Sequence, residues 1–121
     1  EYTRFGMQAM ITARSADVLM PDLQRIGGYT EFRRAAAAAA SNNLPVSSHF
    51  FTEHSLCLAG SLPNCISVEH VDWFAPLLSE PLELRDGQIV IGCTPRASAM
   101  RFSAGTLRAR RALLTPGGVT P

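Results

Sequence analysis

Lysine is absent from the 121 residues; all eleven basic residues are arginine. Acidic residues are absent beyond Asp86, although ten precede or occupy that point. From Cys93 to the end stand five arginines (Arg96, Arg101, Arg108, Arg110 and Arg111) without one acid. No nucleic-acid recognition module accompanies them, so no nucleic-acid partner is expected. Cysteine is scarce: Cys57, Cys65 and Cys93 form no CxxC and no other metal-ligand spacing. Their odd number argues against a disulfide framework and for a reducing, cytoplasmic setting. No run of about 20 apolar residues occurs, so neither a transmembrane helix nor a membrane partner is expected. Glu1 to Arg4 are charged and no long apolar core follows, which argues against a signal peptide. The chain opens without methionine, in the middle of a helical pattern, so an upstream part is expected.

What is present is a balanced α/β chain. Hydrophobic residues make up 46% and the net charge is +1, which suits one modest domain or a piece of a larger one. Thr3 to Arg14 reads as a helix, with Phe5, Met10 and Ile11 on one face and Arg14 in the last turn. Ala16 to Asp22 (ADVLMPD) reads as a short buried strand. Gly27 and Gly28 make a turn. Thr30 is a candidate cap for a helix over Glu31 to Asn43. Its six alanines carry no propensity penalty and its two asparagines supply the stop. Leu44 to His49 is the next strand. Phe51 to Leu62 is a helix with Thr52 as a candidate cap, and Pro63 to Val71 holds a third strand. Helical connections between short apolar strands imply a parallel sheet covered on both faces. Asp86-Gly87, between alternating apolar residues, signals a hairpin.

Three polar residues mark the C-terminal ends of the three strands: Asp22, His49 and Glu69. In a parallel sheet or barrel those ends point the same way, and catalytic groups gather there. Asp22 can fix the tautomer of the His49 imidazole, and Glu69 can hydrogen-bond a substrate oxygen. Each also has a plainer reading. Asp22 can cap the Gly-Gly turn. His49 can serve the first turn of the next helix. Glu69 and His70 can be a solvated pair, Arg33 and Arg34 a solvated helix face, and His54 an ordinary helix residue. The equivalent placement of the three residues in successive units favours an acid–base site.

The stretches LMPDLQRIGGYTEF, LPVSSHFFTEHSLCLAGSLPN and VEHVDWFAPLLSEPLELRDGQIVI resemble the mandelate racemase subgroup of the enolase superfamily, in the mandelate racemase/muconate lactonizing enzyme family. Within it they look most like acid-sugar dehydratases. The resemblance covers roughly Glu1 to Ile91. It implies an α/β fold, the C-terminal portion, about three βα units, of a modified (β/α)8 TIM-type barrel. Asp22 and His49 match the family's catalytic His-Asp dyad, and Glu69 matches its substrate-binding glutamate. It also implies Mg²⁺, with ligands expected upstream of Glu1 and none in this chain. The implied activity is that of a lyase. It abstracts the proton α to the carboxylate of an acid sugar and eliminates water through an enediolate. Homo-oligomers are implied for the full-length protein. The lysine base of the family's second strand would also lie outside this chain.

The likeness ends where GCTPRASAMRFSAGTLRARRALLTPGGVTP begins. Residues 1–92 are therefore expected to be the barrel part, and 93–121 a divergent, Arg-rich, irregular tail. Two alternatives to the dehydratase stand: a racemase or epimerase using the same dyad, and a truncated, non-catalytic remnant or small α/β interaction module. The fragment alone is expected to be inactive.

Overall fold

The structure, a computed structural model, describes residues 1–89. The described residues fall into two units, Glu1–Val71 and a second that begins at Asp72. The expected boundary at 92–93 and the Arg-rich tail lie outside the described residues.

The first unit runs α1 (Arg4–Thr12), α2 (Tyr29–Ala40), β1 (Val46–Ser48), α3 (Thr52–Gly60) and β2 (Cys65–Val68). Strands β1 and β2 pair in parallel, Val46 opposite Cys65 and Ser48 opposite Val68. The segment expected as the first strand, Ala16 to Asp22, is not a continuous strand. It joins β1 through two isolated parallel bridges, Leu19 with Val46 and Asp22 with His49. The backbone bonds explain why. Leu19 N donates to Pro45 O at 3.1 Å, Ser47 N to Leu19 O at 2.8 Å and His49 N to Pro21 O at 3.1 Å. The bond that would complete this alternation needs an N–H on Pro21, which proline lacks. Strand direction and register survive; the ladder does not.

The helices also start differently from expectation. Helix α2 begins at Tyr29, with Gly28 as its N-cap at φ 95°, so Thr30 falls inside the first turn. A positive φ of that size suits a residue without Cβ, so the glycine rather than the threonine sets the start. Asn43, at φ 57°, takes the left-handed conformation just beyond the helix, as its expected role as a stop requires. Helix α1 is capped by Thr3, whose Oγ1 accepts from Gly6 N at 3.2 Å. It buries Met7 and Ile11, whereas Phe5 is 67% exposed beneath the Arg4 guanidinium, 4.6 Å from its ring centre.

The core follows from the alanine run. Ala35, Ala36 and Ala39 are buried with Phe32 on one side of α2, and cluster with Leu19 and Val46. Small side chains let the helix approach the sheet closely, so the two aliphatic residues are fully enclosed. Asn64 ties the layers together: its side-chain amide donates to Ala36 O at 3.0 Å and to Leu44 O at 3.2 Å.

In the second unit a 3₁₀ turn spans Asp72–Leu77, and β3 (Leu84–Arg85) pairs antiparallel with β4 (Gln88–Ile89). Asp86 at φ 50° and Gly87 at φ 74° form the two-residue turn between them, the geometry a tight hairpin favours. No helix among the described residues is long and apolar enough to cross a membrane.

Candidate active site at the strand ends

Asp22 follows Pro21 at the end of the bridge segment, beside His49, which follows β1. Its two carboxylate oxygens do different work. Oδ1 accepts from the backbone N–H groups of Gln24 at 2.9 Å and Arg25 at 3.1 Å, closing the turn before Gly27. Oδ2 lies 3.0 Å from Nδ1 of His49 and 3.4 Å from Nε of Arg25. The turn-former and the imidazole partner, rivals in the sequence, are the same residue.

Burial of Asp22 by itself would raise its pKa. The Arg25 amide, the His49 side chain and the Gln24 amide outweigh that and hold it below the ordinary value of 3.8. Asp22 is therefore a carboxylate at neutral pH and accepts hydrogen bonds only. The Nδ1 of His49 is then the donor, and in the neutral ring Nε2 is left with its lone pair free.

The depressed pKa carries a stability consequence with a definite sign. The ionised form is favoured by folding, so its contribution is fully present above pH 3.8 and is lost as pH falls through the lower folded value. In the complete gene product, the melting-temperature gap between wild type and Asp22→Asn is expected to be constant near neutrality and to close in that acidic window. A gap independent of pH down to strong acid would show that the charge of Asp22 contributes nothing to folding.

Glu69 follows β2. Its Oε2 lies 3.7 Å from Nε2 of His49, too long for a hydrogen bond but close enough that both groups can address one small molecule. The same oxygen accepts from the backbone N–H of Phe50 at 3.1 Å. The His49 side chain is 34% exposed and that of Glu69 41%, so both remain reachable by solute. The structure thus brings all three marked residues together in one line, Asp22, His49 and Glu69.

Other expectations need correction. Glu69 and His70 are not a solvated pair: His70 Nδ1 is buried with no hydrogen-bond partner among the described residues. Thr52 does not cap α3. The cap position belongs to Phe51, at φ 44° and with no side-chain hydrogen bond that caps the helix, and the Thr52 hydroxyl donates to the backbone carbonyl of Glu69 instead. His54 does lie within α3, as expected; its Nδ1 is 3.3 Å from the Gln24 side-chain amide, and it stands apart from the line of three. Sequence reasoning missed the Phe50 amide. Its only outward trace is two adjacent aromatic residues after the histidine, which carry no turn signal.

Among the described residues no group of three or more His, Cys, Asp or Glu is arranged to hold a metal ion. The line of three does not supply such a centre by itself.

Parallel strands joined by helices, with polar side chains gathered at the strand ends, are the arrangement of a (β/α) barrel segment. The sequence profile of the enolase C-terminal domain-like family matches residues 1–95, and the chain belongs to that family. The chain is 34% identical over 84 residues to the L-talarate/galactarate dehydratase of Salmonella typhimurium, covering 69% of this chain and 21% of that protein. It is 28% identical over 99 residues to the D-xylonate dehydratase of Haloferax volcanii, covering 74% and 24% respectively. Among solved structures, the L-talarate dehydratase of Polaromonas sp. JS666, complexed with Mg and L-glucarate, superposes with a TM-score of 0.81. The identity is 32%, over 89% of this chain and 30% of that one. The fold is thus the C-terminal portion of an enolase-superfamily TIM-type barrel. The chain spans about a fifth to a quarter of the length of the curated relatives it matches.

Proposed function

We propose that these residues form the proton-transfer edge of an acid-sugar dehydratase in which His49 exchanges protons with the substrate. The observation that carries the reading is the Asp22–His49 contact: a carboxylate 3.0 Å from Nδ1 directs the free lone pair of Nε2 outward beside Glu69. A substrate C–H next to a carboxylate gives its proton to Nε2, and the imidazolium so formed is balanced by Asp22. The electron pair left on carbon then expels the β-hydroxyl, which departs as water after taking a proton from an acid, for which His49 is placed. Glu69 accepts a hydrogen bond from a substrate hydroxyl and orients the reacting carbons. Proton loss and water loss balance, and no oxidant or reductant is needed.

Magnesium enters the proposal from the relatives, since the Polaromonas structure holds Mg with its sugar acid. A divalent cation stabilises negative charge developing on a carboxylate. Its ligands would come from outside the described residues. Talarate, galactarate or xylonate-like acids are the substrate class the named relatives support, and an oligomer of the complete protein belongs to the same proposal.

The test is a screen of the complete gene product against acid sugars with Mg²⁺ in D₂O, following both keto-acid formation and incorporation of deuterium at the α-carbon. Water loss is the expected result. Deuterium incorporation without water loss would assign a racemase or epimerase. Neither event, across the library, would overturn the enzymatic reading and leave a binding module or remnant.

A further inference from the structure

The tripeptide after the histidine has an unusual shape. Phe50 and Phe51 both adopt left-handed backbone conformations, at φ 51° and 44°. Such positions cost of order 1–3 kcal/mol each for side chains with a Cβ, and persist only where the surroundings enforce them. Here the surroundings converge on one residue. The Phe50 N–H donates to Oε2 of Glu69 at 3.1 Å. The Thr52 hydroxyl donates to the Glu69 backbone carbonyl. The Glu69 N–H donates to Ser48 O at 2.9 Å. Side chain and carbonyl of a single glutamate are thus held from the segment that directly follows β1, and its amide from the last residue of β1 itself. That segment is anchored in turn by α3: His54 N and Ser55 N donate to Phe51 O at 3.0 and 3.2 Å, and Ser55 Oγ lies 2.5 Å from Ser48 Oγ.

Thr52 is the pivot of this clamp. It is 1% exposed, so its hydroxyl has no water to turn to, and it occupies the place where a helix cap would be expected to serve the helix. It serves the neighbouring strand end instead. We propose that Thr52 is a positioning residue for Glu69. Its hydroxyl holds the Glu69 backbone against the left-handed Phe50–Phe51 turn, so that the Phe50 amide can fix the carboxylate beside Nε2 of His49. The inference rests on the reading of Glu69 as a site residue. The clamp itself is a structural statement that can be measured without turnover.

Two variants of the complete gene product separate the hydroxyl from the methyl. Thr52→Val keeps the shape and removes the donor, whereas Thr52→Ser keeps the donor. Expected for Thr52→Val is a fall of about tenfold or more in kcat/KM on the acid sugar, because small misplacements of a site group are costly. Hydrogen–deuterium exchange at the Phe50 amide should be about tenfold faster as the clamp opens locally. Thr52→Ser should recover most of both losses. Should Thr52→Val fail to fold, Thr52→Ser and Thr52→Ala make the same comparison, since they differ only in the hydroxyl. Wild-type Phe50 exchange in the donor-less variant, or equal damage from Ser and from Val or Ala, overturns the proposal. If wild type turns over no acid sugar, the dehydratase reading fails by itself, and the exchange measurement still decides the clamp.

Discussion

Replacing His49 by asparagine in the complete gene product is expected to reduce acid-sugar turnover by about 10²–10⁴-fold, the usual contribution of a positioned acid–base group. The fold should be unaffected. Asparagine can place its amide N–H near the position of Nδ1, so the contact to Oδ2 of Asp22, now 3.0 Å from the ring, can be kept. What disappears is Nε2, the atom with the free lone pair. Incorporation of deuterium at the α-carbon should fall together with water loss, because both begin with the same proton transfer. Melting temperature and oligomeric state should match wild type. A variant that retains near-normal turnover would show that another group moves the proton. A variant that keeps deuterium exchange but loses dehydration would confine His49 to protonating the leaving hydroxyl.

The residues of the candidate site were legible because barrel geometry repeats. Each strand ends at the same face, so a polar residue at three successive ends stands out against apolar strands. Asp22, His49 and Glu69 were found that way, and they meet in space. What the pattern hid was local backbone. Pro21 interrupts the ladder that Leu19 and Asp22 bracket, an effect visible only once the partner of each N–H is known. Threonine before a helical run reads as a cap in isolation. At 30 a glycine with positive φ pre-empts it, and at 52 the hydroxyl donates to the Glu69 carbonyl rather than accepting from the helix's first amides. In both cases a tertiary contact or a backbone constraint overrides a local preference. The same holds for Phe5, which follows the helical apolar pattern yet lies under Arg4 at the surface. The aromatic pair at 50 and 51 is the extreme case: neither residue favours φ > 0, and tertiary bonds such as that from the Phe50 amide to Glu69 support the turn.

Produced by itself, the 121-residue chain is expected to associate rather than behave as a monomer, and to dehydrate no acid sugar with or without Mg²⁺. The named strands of the first unit are a two-stranded parallel pair, extended on the β1 side by two bridges. A barrel of this type closes with eight strands. Strand β2 pairs with β1 alone among the described strands, so it offers an edge of N–H and C=O groups to any other strand. Exposed apolar side chains stand at both sides of this sheet: Ile66 on β2 is 65% exposed, and Met20, in the bridge segment on the other side of β1, 44%. Open edges next to exposed aliphatic groups favour pairing with a second chain. The chemistry is deficient as well. A carbanion beside a carboxylate needs strong charge stabilisation, and the described residues arrange no group that could hold a metal. Beyond Asp86 the sequence contains no further Asp or Glu. Size-exclusion chromatography with light scattering, thermal melting by circular dichroism and the acid-sugar screen test both halves together. A monomer with one cooperative melt would refute the association, and Mg²⁺-dependent water loss by the isolated chain would refute the rest. Ile66→Lys provides the control on mechanism: a charge on the exposed side of β2 should suppress association if this edge drives it, and should leave it unchanged if another surface does.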